Sequence, residues 1–229
     1  MKRILWCGGS HLANARPQIE AAHKGVLSIY KPDYYVTAGP RNRDWSGGGG
    51  RYTVHGSVVS RNAHEPDREI DLSGYDALVF IGQFIQPFKA FIDGMQHSSA
   101  VVDNILKDLP MQGYFHDPSR NLTHRWYNEP LELFPPFVKG STFIVPDPAP
   151  AGQRYASVPA EIKRKYHDRI EEFCAETGCV HIPTPQELCT ADGTTKEEFV
   201  LPGDPLHMKD SYWQVLFETK LLPAMRAAL

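Results

Sequence analysis

The stretch "ILWCGGSHLAN", residues 4–14, decides the fold class. A run of apolar residues ends abruptly at two glycines, and the residues that follow have the apolar spacing of a helix. A buried strand, a glycine turn and a helix in this order form the first unit of an α/β domain. The turn also brings one serine, Ser10, to the start of the helix. A hydroxyl at that place binds a phosphate, caps the helix or acts as a nucleophile.

Four further apolar segments continue this pattern along the chain. With the first strand at 3–7, the others are predicted at 33–39, 75–82, 141–148 and 179–185. Amphipathic spacing and stop signals predict helices at 12–23, 159–178 and 209–222. Strands that alternate with helices form parallel sheets. The sequence therefore predicts a single α/β domain over residues 1–229, with a doubly wound, five-stranded parallel sheet of the flavodoxin-like type.

Two segments do not fit the alternation of strands and helices. Residues 40–64 contain "RNRDWSGGGGRY" followed by "TVHGSVVS". Four consecutive glycines cannot pack a core, so we predict a mobile surface loop there, with a small hairpin in its second part. Residues 110–140 are long, aromatic and rich in proline. Loops of this length in a compact domain usually serve a function or link domains.

Charge and composition exclude several classes of partner. The formal net charge is −3 with both signs dispersed, which predicts no binding to nucleic acid or to an anionic membrane. No apolar stretch approaches the ~20 residues that span a bilayer. The start "KRILWCGG" lacks the features of a signal peptide, so we expect a cytoplasmic protein. The scattered cysteines are expected to be free thiols, and the first of them to be buried and inert: Cys7, Cys174, Cys179 and Cys189.

The sequence also argues against a cofactor and against a metal. A dinucleotide fingerprint would align on Gly8, Ser10 and Ala13, which puts a serine where the backbone must approach the pyrophosphate. The phosphate-binding loop motif with Gly-Lys-Ser/Thr does not occur. The histidines and the aspartate at 116–124 have no spacing typical of metal ligands. We therefore predict neither group.

A candidate base for Ser10 lies near the other end of the chain, in "LPGDPLHMKDSYW", residues 201–213. Asp204 and His207 are three residues apart, across a proline-containing turn and directly before a helix. A carboxylate at this spacing accepts the imidazole Nδ1–H and leaves Nε2 free to take a serine proton. Such pairs also serve as simple helix caps. Position favours catalysis, because the chain returns here to the carboxyl edge of the sheet, where Ser10 also lies.

These two blocks resemble motifs of the SGNH/GDSL hydrolase family. The nucleophile of that family lies in a Gly-Asp-Ser turn after the first strand, as in "GGS" at 8–10, and its Asp-x-x-His precedes the last helix, as in "DPLH" at 204–207. The stretch "VFIGQF", 79–84, corresponds to the block that carries an asparagine, and "TAGP", 37–40, to the block that carries a glycine. The resemblance runs in order from the first strand to the last helix. The chain differs from the family at Gly9, in place of aspartate, and at Gln83, in place of asparagine.

The resemblance implies a serine esterase that acts on O-acyl esters, O-acetyl esters among them, of a carbohydrate or another polar molecule. Ser10 would be the nucleophile, His207 the general base and Asp204 its orienting carboxylate. The oxyanion hole would consist of the Ser10 and Gly39 backbone N–H groups and the Gln83 amide. Two alternatives stay open at this point: an O-acyltransferase with the same triad, and a non-catalytic binding protein, which the changes at Gly9 and Gln83 keep in view.

Three further residues are candidates for contact with the substrate. His11 adjoins the nucleophile, although a histidine at a helix start is equally often merely solvated. Tyr114 and His116 lie in the long aromatic segment, and aromatic faces suit sugar rings. Local packing of that segment explains the same residues equally well.

Overall fold

The computed structural model describes residues 2–36, 45–54, 58–60, 63–64, 68–83, 116–117, 122–123, 137–138, 141–151 and 160–229. In chain order, its strands are β1 (Lys2–Gly8), β2 (Tyr30–Val36), β3 (Trp45–Gly48), β4 (Arg51–Val54), β5 (Val58–Ser60), β6 (Ala63–His64), β7 (Arg68–Asp71), β8 (Ala77–Gln83), β9 (His116–Asp117), β10 (Leu122–Thr123), β11 (Thr142–Pro146), β12 (Val180–His181), β13 (Val200–Leu201) and β14 (Asp204–Met208). The helices are α1 (Ser10–Lys24), α2 (Ala160–Thr177), α3 (Asp210–Leu216) and α4 (Leu222–Ala228), with a π-helical turn at Phe217–Leu221 between the last two.

Five strands form the central sheet, in the order β12-β11-β8-β1-β2. Every neighbouring pair in it is parallel. The predicted five-stranded parallel sheet is therefore confirmed. β1 lies between β2 and β8, so the winding of the chain reverses between β1 and β8. Open α/β sheets bind ligands outside the carboxyl ends of their strands at such a point of reversal.

Apolar side chains cover both faces of this sheet. On one face, Ile4 and Trp6 of β1 belong to a cluster with residues of α1 and α3. On the other face, Leu5 and Cys7 belong to a cluster with residues of α2. Successive strand residues point to opposite faces, so a strand buried on both sides must be apolar throughout. This is why the runs in β1 and β8 are the clearest strand signals in the sequence.

The bounds of the elements differ from the predicted ones where proline is present. β2 begins at Tyr30 rather than at residue 33 and contains Pro32, which an edge strand tolerates because one of its sides needs no hydrogen-bond donor. The last helical region continues to Ala228, beyond the predicted end at residue 222. It passes Pro223 through the π-helical turn, in which the Leu222 N–H donates to the Phe217 carbonyl. The predicted end of the second strand, at Gly39, lies outside the described residues.

The glycine run forms a hairpin, so the prediction of a loop is wrong for residues 45–54. β3 and β4 pair antiparallel, and β4 also pairs with β7, which gives a three-stranded sheet. Gly49 and Gly50 form the two-residue turn, with φ of +61° and +87°. Two successive positive φ values are typical of a type I′ turn, which matches the twist of a hairpin and favours glycine. A second, smaller hairpin pairs β5 with β6.

A partly buried polar cluster joins this small sheet to the central one. Asp33 of β2 accepts hydrogen bonds from Arg3 Nη2 at 2.8 Å, Arg68 Nη2 at 2.6 Å and the Tyr75 hydroxyl at 2.8 Å. Burial alone would raise the pKa of Asp33, but the hydrogen bond from Tyr75 and the two guanidinium groups hold that pKa below its usual value. Asp33 is thus a structural residue that connects β1, β2 and β7.

Candidate active site

Close packing at the carboxyl edge of the sheet brings Ser10 to the point where the winding reverses. β1 ends at Gly8, which lies beside Ile81 of β8, and α1 begins two residues later. A Cβ at Gly8 would clash with the Ile81 carbonyl oxygen and lie 2.9 Å from Leu12 Cβ. Only glycine therefore lets β1 pass between β8 and the first turn of α1.

The Ser10 hydroxyl is exposed at the first residue of α1. The helix cap is Gly9, which has no side chain, and within the described residues no hydrogen bond involves the Ser10 hydroxyl. Ser10 therefore does not cap the helix in this structure. The first N–H groups of a helix lack intrahelical partners and favour negative charge beside them.

The Asp204–His207 pair belongs to a hairpin in which β13 and β14 pair antiparallel. The hairpin turns at Pro202 and Gly203, the latter with φ of +78°. The pair lies within β14, and α3 begins only at Asp210, so the predicted turn directly before the helix is a strand instead. Pro205 is accommodated in this short strand.

The Asp204 carboxylate holds both the backbone of its own strand and the imidazole. Its Oδ1 accepts the Leu206 backbone N–H at 3.1 Å, and its Oδ2 lies 2.6 Å from His207 Nδ1. The hydrogen bond from His207 is the main reason why the pKa of Asp204 lies below its usual value. An ionised Asp204 accepts the Nδ1–H, and the Nε2 lone pair of the ring is then free for a proton. The predicted contact within this pair is present.

His11 connects the start of α1 to this pair. The ring centroids of His11 and His207 are 5.4 Å apart, at an interplanar angle of 45°. Because His11 directly follows Ser10, this contact brings the first turn of α1 and β14 into one cluster. Two segments that are almost 200 residues apart in the chain thus meet at the carboxyl edge of β1 and β8.

Three neighbours enclose the His11 ring. Its Nε2 lies 2.8 Å from Oδ1 of Asp147, the first residue after β11. Its centroid lies 6.0 Å from that of Trp213 in α3. Gly82 has φ of +71°, and a Cβ there would lie 2.9 Å from His11 Cβ and Cδ2. His11 is therefore buried, and the alternative of a merely solvated histidine is wrong.

Sequence reasoning missed Asp147. The sequence feature that could have indicated it is an acidic residue in "VPDP", directly after a fully buried strand. Other predicted site residues are not placed by the structure: Gly39 and Tyr114 lie outside the described residues. Gln83 ends β8 and His116 begins β9, but their side chains are not among those described. The oxyanion hole and the substrate contacts therefore stay predictions.

Other reactive groups in the described part of the chain do not compete with Ser10. Cys7 is 1% exposed, and burial raises the pKa of its thiol, so it is not a thiolate. All four cysteines are free. Among the described residues, no three His, Cys, Asp or Glu side chains are grouped to hold a metal ion. None of the described helices combines the length and the apolar character needed to cross a membrane.

Comparison with known proteins gives likeness in structure only. No family model and no curated protein matches the chain. A GDSL-like lipase from Bacteroides thetaiotaomicron has a TM-score of 0.46 and 12% identity, over 99% of this chain and 88% of that one. An extracellular lipase from Streptomyces rimosus has a TM-score of 0.50 and 13% identity, over 100% of each chain. The chain therefore shares the α/β fold of that extracellular lipase, which confirms the fold expected from the resemblance to the SGNH/GDSL hydrolases.

Proposed function

We propose that the chain is an ester hydrolase that works through an acyl-enzyme on Ser10. The observation that carries this proposal is the 2.6 Å contact between Asp204 Oδ2 and His207 Nδ1, together with the packing of His207 against the residue that follows Ser10. The cluster lies where open α/β sheets bind ligands. The likeness of the whole fold to a lipase supports the same reaction class.

The chemistry follows from the tautomer of His207. With Nδ1–H donated to Asp204, the Nε2 lone pair takes the Ser10 proton while Oγ attacks the ester carbonyl carbon. The same proton then passes to the alkoxide that leaves as the carbonyl re-forms. Water, deprotonated by Nε2, attacks the acyl-enzyme in the second half-reaction, and the proton returns to Ser10 with release of the acid. General base catalysis of this kind typically contributes about 10²–10⁴-fold.

The negative charge that develops on the carbonyl oxygen during the attack must be stabilised by hydrogen-bond donors. We assign this role to the Ser10 backbone N–H at the start of α1, the Gly39 N–H and the Gln83 side-chain amide. The start of α1 is suited to it, because the first N–H groups of a helix have no partner within the helix. Removal of one such donor typically costs about 10²–10³-fold in turnover.

For the substrate, we propose short O-acyl esters of a carbohydrate or of another polar molecule. A carbohydrate substrate is supported by the aromatic residues of the long segment, which include Tyr114, and by the neighbouring His116. The small, dispersed net charge supports a small-molecule substrate rather than a nucleic acid or a membrane surface.

The experiment is hydrolysis of a short-chain aryl acetate by wild type and by Ser10→Ala, with Ser28→Ala as the matched control. Ser28 is also exposed, but it precedes β2 at the opposite edge of the sheet. Ser10→Ala is expected to abolish turnover, while Ser28→Ala retains the wild-type rate. Intact mass after treatment with a fluorophosphonate should show one adduct, absent in Ser10→Ala. Retention of most activity in Ser10→Ala contradicts the proposal.

Two additions separate the reaction from its alternatives. His207→Ala should slow the fluorophosphonate reaction at Ser10. If the wild-type chain binds esters but shows neither turnover nor an adduct, it is the non-catalytic binding protein. Sugar acceptors are then added with an activated acyl donor. A hydrolase releases acid at an unchanged rate, whereas acylated sugar that accumulates ahead of free acid identifies a transferase.

A further inference from the structure

A second carboxylate–imidazole pair lies directly beside the proposed triad, and the mechanism above does not use it. His11 Nε2 and Asp147 Oδ1 are 2.8 Å apart, and the side chains are 11% and 14% exposed. The corresponding values for His207 and Asp204 are 28% and 44%. Charges interact more strongly where water is excluded. The His11–Asp147 pair is thus better shielded from water than the His207–Asp204 pair of the proposed triad.

The contacts of His11 indicate which of its nitrogens carries the proton. The Asp147 carboxylate lies 2.8 Å from Nε2, and a carboxylate favours a proton on the ring nitrogen beside it, so we assign the proton to Nε2. Nδ1 is buried, and it has no hydrogen-bond partner in the described part of the chain. A second proton at Nδ1 would be a buried donor of a charged ring without an acceptor, which is costly.

Packing gives the His11 ring little freedom. The backbone at Gly82 lies against Cβ and Cδ2, and the fully buried Trp213 lies on another side. Asp147 then fixes the remaining rotation of the ring through Nε2. A ring held in this way presents a rigid surface to His207, whose own carboxylate is nearly half exposed.

We propose that Asp147, acting through His11, is a positioning residue of this active site. The pair holds the His207 ring in its catalytic orientation and adds a shielded negative charge on that side when His207 takes the serine proton. This inference rests on the proposed function, because it needs His207 to act as the base of Ser10.

The described titratable groups around His207 are few. Asp204 lies on its own strand, His11 faces it from α1, and Asp147 lies behind His11 at the end of β11. In α3, Tyr212 is fully buried, and burial raises its pKa. Lys209, the nearest cation in sequence, donates its ammonium to the Glu198 carbonyl at 2.9 Å. Loss of the Asp147 charge should therefore be visible in the pH dependence of turnover.

The test compares Asp147→Asn with wild type in the pH dependence of kcat/KM for an aryl acetate. Asparagine keeps an acceptor oxygen but loses the charge, so protonation of the base becomes less favourable. The midpoint of the profile should move to lower pH, and the plateau should fall about tenfold because the ring of the base is less well oriented. KM should stay within about twofold, because a residue that acts only on the base alters the chemical step.

Glu171→Gln is the matched control, because Glu171 lies 3.9 Å from His181 in a pair away from this site. It should leave both midpoint and plateau unchanged. Asp147→Glu, which restores the charge, should return the midpoint toward wild type. If Asp147→Asn does not fold, His11→Gln replaces it, since glutamine keeps an N–H for Asp147 but removes the ring, and the plateau should fall in the same way.

The rate of Ser10 modification by the fluorophosphonate separates the two proposals. If wild type is not modified, the proposed function fails. If wild type is modified and depends on His207, while the profile of Asp147→Asn matches wild type in midpoint and plateau, only the positioning role is overturned. A loss of stability in Asp147→Asn without a change in midpoint would mean a purely structural pair, which also overturns it.

Discussion

Replacement of Gly82 by alanine tests the packing of the site, because the chain has a closely matched control. Gly82 and Gly178 have φ of +71° and +70°, so alanine meets the same backbone strain at both positions. Their surroundings differ. A Cβ at Gly178 meets nothing within 4 Å, whereas a Cβ at Gly82 lies 2.9 Å from His11 Cβ and Cδ2.

The magnitudes follow from these two terms. A left-handed backbone costs an ordinary residue about 1–2 kcal/mol, which is the whole expected loss for Gly178→Ala. Gly82→Ala adds overpacking of a filled site, typically about 1–3 kcal/mol. The free energy of unfolding should therefore fall by about 2–5 kcal/mol in Gly82→Ala. Turnover should fall as well, because the displaced His11 ring packs on His207.

Urea unfolding of both variants and of wild type measures the difference. His11→Ala, which removes the ring but keeps Cβ, completes a double-mutant cycle with Gly82→Ala. The double variant should recover part of the overpacking, so that the two losses are less than additive. Equal losses for Gly82→Ala and Gly178→Ala, or strictly additive losses in the cycle, would refute the contact between Gly82 and the His11 ring.

Three further outcomes are expected. Asp33→Asn should lower the free energy of unfolding in urea by about 1–3 kcal/mol, because three donors lose part of their shared acceptor, whereas Glu20→Gln at an exposed i, i+4 pair should change it by less than about 0.5 kcal/mol. Burial holds the pKa of His23 below its ordinary value, so the unfolded chain binds more protons than the folded one. The stability that neutral His23 contributes is present above about pH 6.5 and is lost as the pH falls through the folded pKa. His23→Gln should therefore flatten that part of a curve of unfolding free energy against pH. Gln83→Ala should lower the turnover of an aryl acetate by roughly 10²–10³-fold if its amide is an oxyanion donor, and Gln83→Asn should also lose rate if the backbone is set for the longer side chain. An unchanged turnover number in both Gln83 variants would remove that residue from the oxyanion hole.

Periodicity predicted the interior of the fold and failed at its margins. β1, β8 and β11 are buried on both faces over most of their length, so these runs must be apolar and are recognised without other information. The hairpin at residues 45–54 was not predicted, because four consecutive glycines have no apolar pattern. Its turn is set by φ values that glycine permits but does not by itself specify.

For the candidate site, the sequence predicted residues that carry a motif and missed a contact that depends on the tertiary fold. Ser10, Asp204 and His207 could be named because their spacing within short blocks is typical of one chemistry. Asp147 and His11 are 136 positions apart, and the 2.8 Å contact between them exists only because β11 and β1 both flank β8. No local pattern distinguishes such an aspartate from a polar residue that simply ends a strand.

The position of Asp147 also bears on the change at Gly9. In the family pattern that the chain resembles, an aspartate in the nucleophile turn stands where Gly9 caps α1 without a side chain. The first turn of this helix nevertheless has a shielded carboxylate bound to it, since Asp147 reaches His11 from the end of the strand beyond β8. An anchor from a neighbouring strand fixes the turn against the sheet, whereas a side chain within the turn fixes only the turn itself. Glycine at position 9 therefore leaves the first turn of α1 tied to the sheet through His11 and Asp147, which is the fixed placement that Ser10 needs under the proposed mechanism.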